Sequence, residues 1–342
     1  MGLRKSQSTV FDVAAQAGVS IKTVSRVVNN EPNVRTATRD KVLSAINELG
    51  YEPNAAARGL SGKRSYALGL IYENPREFSY VGAVLKSALS ACEELGYSLL
   101  LRPVTLPGQD LVPEVRKFVL QTRVDAIMLT APVVDNPEVR QALDELQVPT
   151  AFIGPSLRTA SGVNVFCDDR QASYDMTAHL IALGHRRIAF VKGHPDHSVS
   201  LKRLMGYQQA LTDAGLPLRA DWVTQGYFSF ESGVTAAASL LEKTDRPTVI
   251  IASNDDMAAG VIFEARERGL NVPADLSVTG FDDTPLASHT WPPLTTIRQP
   301  IEAMTEHATR SLIARLQRPD QKASSLHFDC KVIIRGSSGP PL

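Results

Sequence analysis

Positions 21–26 carry Ile21, Lys22, Thr23, Ser25 and Arg26, a set of two cations, two hydroxyls and one branched apolar side chain. Placed on the exposed face of a helix, such a set can read duplex DNA. Lys22 and Arg26 can donate to O6 and N7 of guanine, Ile21 can meet a thymine methyl, and the hydroxyls suit phosphates or base edges. A helix face meant only for water would leave Ile21 exposed to no purpose.

A second group of reactive side chains lies much later, in Asp255, Asp256, Asp282 and Asp283, with His194 and His197 spaced as H-x-x-H around Asp196. The histidine pair has no third ligand at zinc spacing and no evident general-base partner. No G-x-S-x-G or G-x-G-x-x-G follows an apolar run. The stretch GLSGKRS imitates a phosphate loop, but that motif needs glycine where Ala57 stands and a hydroxyl where Arg64 stands. Neither catalysis, a cofactor nor a resident metal is expected. Cys92, Cys167 and Cys330 are scattered and odd in number, which indicates no disulfide framework and fits a reducing compartment.

The elements that must position the first set are short helices. Thr9 followed by Asp12 resembles a capping box, and Val10, Val13, Ala14 and Ala17 give an apolar stripe at helical spacing up to Gly18. Ser20 can cap a second helix with Val24, Val27 and Val28 facing inward. The tight turn between the two predicts a helix-turn-helix. A third helix is expected from Thr36 to Leu49, with Val42, Ile46 and Leu49 on its inner face and Gly50 ending it. Residues 53–65 then read as a linker, or as a helix too rich in glycine to stand alone.

From Tyr66 onward apolar runs alternate with amphipathic stretches, which predicts an α/β body with parallel sheets. ALGLI, DAIMLT and PTAFIG recur in order as IAFV, TVIIAS and LSVTGF, at a nearly constant spacing. That repetition argues for two similar lobes with a ligand cleft where strand ends meet.

Charge supports the same division. The chain carries 36 basic and 36 acidic residues, so its total says nothing of a polyanionic partner. Residues 1–65, however, hold ten Lys and Arg against five Asp and Glu, and the remainder is acidic by the same margin. A basic head and an acidic body suit a protein in which only the head approaches phosphates. Hydrophobic residues make up 43% and charged residues 21% of the 342, ordinary globular values that allow two or three folding units. No apolar run is long enough for a membrane span and no signal peptide opens the chain, so a cytoplasmic protein with no membrane partner is expected.

The segment TVFDVAAQAGVSIKTVSRVVNNEPNVRTATRDKVLSAINELGYEPNAAARGLSGKRS resembles the headpiece and hinge of the lac repressor (LacI/GalR) family of bacterial transcription regulators. HLIALGHRRIAFV, RLMGYQQAL, ASNDDMAAG, SVTGFDD and PPLTTIRQP extend the resemblance over residues 9–335. It implies a headpiece at 1–52, a hinge at 53–66 and a periplasmic-binding-protein-like body at 67–342. Lobe 1 would take about 67–167 and 297–326, lobe 2 about 168–296 and 327–342. Operator contacts are then expected from Thr9, Ser20, Ile21, Lys22, Thr23, Ser25, Arg26, Asn29, Asn33 and Thr38. Leu60, flanked by Ala57, would be the leucine that enters the minor groove and bends the duplex. In the body the family's ligand-contacting positions fall on Arg203, Asn254 and Asp282, with Phe228 as an aromatic platform and Tyr72 and Gln299 as further contributors. The implied partners are a palindromic operator, a second copy of the chain as a homodimer, and a small effector. An arginine, an amide and a carboxylate around an aromatic face favour a mono- or disaccharide. Purine-binding and corepressor-binding members share the scaffold, so fold analogy leaves the ligand open. The loops at Glu73 to Tyr80 and His194 to Ser200 match no subgroup. A sugar-binding protein without DNA function would have no use for the headpiece.

Overall fold

A computed structural model describes residues 8–28, 33–51, 64–74, 78–105, 110–318, 320 and 324–342. The chain divides into two compact units, one running through residue 67 and taking in residues 96–98, the other formed by the rest.

Among its described residues the first unit contains three helices, α1 (Val10–Ala17), α2 (Ile21–Val28) and α3 (Thr36–Leu49). Thr9 and Asp12 form the reciprocal capping box expected at the start of α1. Gly18 ends α1 at φ 65, a conformation that a side chain would oppose, and the Val19 N–H reaches back to the Ala14 carbonyl at 3.0 Å. Ser20 Oγ then accepts from the Thr23 N–H at 3.2 Å to start α2. Val13, Ala14, Val24, Val27, Val42 and Ala45 are buried together, with Val28, Ile46 and Leu49 packed at the margin. Burying a valine is worth about 1.5–3 kcal/mol, so this small valine-rich core accounts for three helices too short to persist alone.

The second unit holds two α/β lobes. In lobe 1, β1 (Ala67–Glu73), β2 (Ser98–Val104), β3 (Ala126–Leu129), β4 (Thr150–Ile153), β5 (Val163–Phe166) and β11 (Ser325–His327) form one sheet in the order β11-β5-β4-β3-β1-β2. Helix α4 (Ser79–Glu94) packs against α12 (Ile301–Gln317), and α5 (Leu111–Thr122) against α6 (Pro137–Glu145). Lobe 2 contains β6 (Ile188–Lys192), β7 (Val223–Gln225), β8 (Val249–Ala252) and β9 (Ser277–Thr279), in the parallel order β7-β6-β8-β9. Its helices are α7 (Asp169–Ala182), α8 (Ser198–Asp213), α9 (Phe230–Leu241), α10 (Asp255–Glu267) and the short α11 (Pro285–His289).

The repeated apolar runs of the sequence are these strands: β1, β3 and β4 in one sheet, β6, β8 and β9 in the other, in matching spatial order. The central strands are buried on both faces, as parallel strands covered by helices must be. The chain passes between lobes after β5, around β10 (Thr296–Arg298), and between β11 and β12 (Lys331–Ile333), where β10 and β12 pair antiparallel. No helix among the described residues is long and apolar enough to cross a membrane.

Candidate functional site

The first candidate surface lies on α2. Val24 and Val27 turn into the core, which leaves Ile21, at 41% exposure, together with Lys22 and Arg26 on the outer face, and Thr23 and Ser25 half-buried beside them. Thr9 and Ser20 serve as helix caps and Asn33 is exposed, while Thr38 is half-buried in the first turn of α3. Asn29, Ala57 and Leu60 lie outside the described residues.

The second is a cleft of about 540 Å³ between the lobes of the body. Every wall is built at the C-terminal ends of strands, where backbone groups and helix N-termini open toward one another. Glu73 ends β1, Ala131 follows β3 and Gly154 follows β4 on one side; His194 follows β6, Phe228 follows β7, Asn254 follows β8 and Asp282 follows β9 on the other. Across the cleft, Ser79 Oγ donates to Asp256 Oδ1 at 2.8 Å, and His197 Nε2 pairs with Glu73 Oε2 at 2.8 Å. Ser198 also donates to Asp135.

Arg203 is the centre of lobe 2's wall. It projects from α8, is 4% exposed, and lies over the Phe281 ring with its guanidinium carbon 3.6 Å from the centroid. Its Nε donates to Asp169 Oδ1 at 2.9 Å, another of its nitrogens to the Ser253 carbonyl, and Asp282 Oδ1 stands 3.7 Å from Nη2. Burial opposes the charge on Arg203, but Asp169 and Asp282 outweigh it and hold the guanidinium protonated. The Asp282 carboxyl responds the other way. Burial holds it well above the ordinary carboxylate range against the pull of Arg203, and the neighbouring Asp255 adds to the rise. The geometry explains the difference, because Arg203 is satisfied chiefly by the closer Asp169.

Asp282 also has φ 108, a backbone conformation that a non-glycine residue holds only when its surroundings enforce it. Here the Asp282 N–H donates to the Ile297 carbonyl at 2.8 Å, and Gln299 Nε2 donates to Asp282 Oδ1 at 2.7 Å. Asn254 caps α10 by accepting from the Met257 N–H at 3.0 Å, and its Nδ2 donates to the Phe228 carbonyl at 3.0 Å. The helix cap thereby also fixes the aromatic loop. The Phe228 ring occupies the space in which a side chain at Gly193 would lie, so the glycine lets the ring settle on the β6 end.

Five of the six body residues picked out by sequence, Arg203, Phe228, Asn254, Asp282 and Gln299, come together in this cleft. Tyr72 is not among its lining residues; it is buried in β1, 6% exposed. Asp169, Tyr80, Cys167 and the Glu73–His197 pair line the cleft as well. Asp169 follows Asp168, the cap of α7, and this doubled acid at a strand-to-helix step was the one sequence signal for it. Among the described residues no group of three or more His, Cys, Asp or Glu is arranged to hold a metal ion.

A helix-turn-helix unit and a two-lobed α/β body with an interlobe cleft, in one chain, define a ligand-controlled DNA-binding regulator. The family described as bacterial regulatory proteins, lacI family, matches residues 9–54, and the periplasmic binding protein-like domain matches residues 177–338. Catabolite control protein A of Priestia megaterium is 35% identical over 331 residues, covering 96% of this chain and 99% of that protein. The solved lac repressor dimer bound to operator and the anti-inducer ONPF aligns with a TM-score of 0.80 at 30% identity, covering 97% of this chain and 99% of that one. The complex of the transcriptional regulator CelR with cellobiose aligns with a TM-score of 0.73 at 30% identity, covering 97% and 100%. The chain belongs to the LacI family and is a transcription regulator, not an enzyme.

Proposed function

We propose that the chain is a cytoplasmic homodimer, with a headpiece at 1–52, a hinge at 53–66 and a body at 67–342, that reads a palindromic operator and is switched by an uncharged mono- or disaccharide. The observation that carries the effector class is the charge of the cleft. Glu73, Asp169 and Asp256 line it, with the Asp282 carboxyl held by burial toward its protonated form, against the guanidinium of Arg203, which Asp169 already engages. A phosphate or carboxylate entering there would lose its water and meet carboxylates, whereas sugar hydroxyls can donate to them and accept from Arg203, Asn254 and Gln299. Phe228 offers the apolar face that packs the C–H side of a pyranose. The cellobiose complex of a related regulator supports the same class.

On the DNA side, Ile21, Lys22, Thr23, Ser25 and Arg26 would enter the major groove, with Thr9, Ser20, Asn29, Asn33 and Thr38 around them. Ala57 and Leu60 would act at the central minor groove. One eight-residue helix touches too few bases to single out a genomic site, which supports a two-fold dimer on two half-sites. Selection of the full chain against random duplexes should return a palindrome, and sedimentation should give a dimer. Release of that duplex is then titrated with neutral disaccharides, hexose phosphates and purines. A response to the phosphates or purines alone would overturn the effector reading, and an asymmetric single site the dimer reading.

A further inference from the structure

Cys167 and Cys330 are remote in sequence, yet they meet where the segments joining the lobes run together. Cys167 follows β5 and lines the cleft; Cys330 immediately precedes β12. β5 and β11 are parallel with Phe166 beside His327, and the Phe328 N–H donates to the Phe166 carbonyl at 2.9 Å, which brings the two onward segments level. The Cys330 thiol lies within hydrogen-bonding reach of Cys167. Cys167 in turn donates to Gln299 Oε1 at 3.5 Å, on the remaining connecting segment, and Gln299 donates to Asp282 in the cleft. Both cysteines are free and half-buried, whereas Cys92 is fully buried in α4.

We propose that Cys167 and Cys330 are a peroxide-reactive dithiol that closes to a disulfide across two of the segments connecting the lobes. Cys330, which does not line the cleft, reacts first. Its thiolate attacks hydrogen peroxide, the O–O bond breaks, and the departing hydroxide takes a proton to become water, leaving a sulfenic acid. The Cys167 sulfur then attacks the Cys330 sulfur; the S–O bond breaks, the S–S bond forms, and the hydroxyl leaves as a second water with the Cys167 proton. Two thiols give up two electrons to one peroxide, and a cellular dithiol reductant returns them. Contact with Cys330, burial and the nearby Asp169 carboxylate hold the Cys167 thiol well above its ordinary range, which suits it to the second role. The product would tie the first connecting segment to the third and would remove the S–H that Gln299 accepts. Oxidation thereby restrains lobe movement and reaches the Gln299–Asp282 bond at the cleft. A reversible bond of this kind fits a reducing compartment, where disulfides serve as sensors rather than as scaffolds.

The test uses the purified, reduced full chain and hydrogen peroxide, followed by alkylation, non-reducing digestion and mass spectrometry. The expected result is a Cys167–Cys330 cross-linked peptide, free thiols falling from three to one, full reversal by dithiothreitol, and slower hydrogen exchange in residues 296–299 and 328–333. Cys92→Ala should leave the cross-link intact, and Cys330→Ser should abolish it. Because the mapping is done on the unaltered chain, it stands even if a variant folds poorly. Sulfinic or sulfonic acid at either position without a cross-link, a disulfide to Cys92, or three unreacted thiols at excess peroxide would each overturn the proposal.

Discussion

Replacing Asp255 by asparagine should stabilise the body at and above neutral pH and flatten its pH dependence. Asp255 opens α10 and is fully buried. Its Oδ2 accepts from the Thr284 N–H at 2.7 Å and the Thr284 hydroxyl at 3.1 Å, and its Oδ1 from the Thr296 hydroxyl at 2.6 Å. It therefore braces the loop that carries Asp282 and the connecting strand β10. Burial pushes its carboxyl up to about 7 despite these hydrogen bonds, and Asp283 adds to the rise. An acid whose folded pKa is raised binds more protons in the native than in the unfolded state. Stability is thus fully present below its unfolded value near 3.8 and is lost as pH rises through about 7. That interval corresponds to about 4 kcal/mol at most. An asparagine oxygen can accept both Thr284 bonds, and its amide can donate to the Thr296 hydroxyl, so the bracing survives without the buried charge. Denaturant midpoints of parent and Asp255→Asn should nearly coincide at pH 4 and separate up to pH 8, with the variant higher. Comparing the two cancels the titration of groups that do not sense Asp255, while Asp282, whose rise Asp255 adds to, is relieved in the variant and shifts the comparison in the same direction. Parallel curves, or a variant less stable at pH 8, would refute the reasoning.

Arg26→Ala should reduce discrimination among operator variants by about 1–3 kcal/mol at one base position while leaving the headpiece folded, as gel shifts at fixed salt and circular dichroism would report. Arg203→Ala should cost about 3–5 kcal/mol in unfolding experiments, because it strands the buried carboxylate of Asp169, and it should also abolish the effector response in duplex-release titrations. Gly260→Ala should destabilise lobe 2 by about 1–3 kcal/mol in thermal unfolding, since its Cβ would stand 2.2 Å from the Phe230 carbonyl oxygen and push α9 off α10.

Local chemistry was the legible part of this fold. Thr9 and Asp12, Gly18, Ser20 and Gly50 act within one turn of themselves, so their spacing specifies the headpiece helices directly. The duplicated strands were readable because each is a continuous apolar run between turn signals. The same continuity hid the fate of Tyr72: β1 is buried on both faces, so no alternation tells which side chains reach a cleft and which enter the core. Asp169, the Glu73–His197 pair and the two meeting cysteines were not legible for another reason. Each is defined by a partner dozens to more than a hundred positions away, brought near by sheet order and not by spacing.

The distribution of contacts also bears on how such a body can switch. Inside each lobe the strands and helices bury continuous apolar surface, and opening a lobe would forfeit many kcal/mol. Between the lobes the cleft is bridged by Ser79–Asp256, His197–Glu73 and Ser198–Asp135, all polar. A hydrogen bond of this kind contributes about 0.5–1.5 kcal/mol net, because water replaces it when the lobes part. Opening as rigid bodies is therefore the low-energy motion, and its scale is a few kcal/mol. A ligand that bonds to both walls at once needs only a comparable difference in affinity between open and closed forms to move the population between them. Two of the three acids that bridge the lobes, Glu73 and Asp256, also line the cleft. Effector hydroxyls would compete for the same carboxylates that hold the lobes together, so the position of the switch depends on the difference between two similar sets of hydrogen bonds.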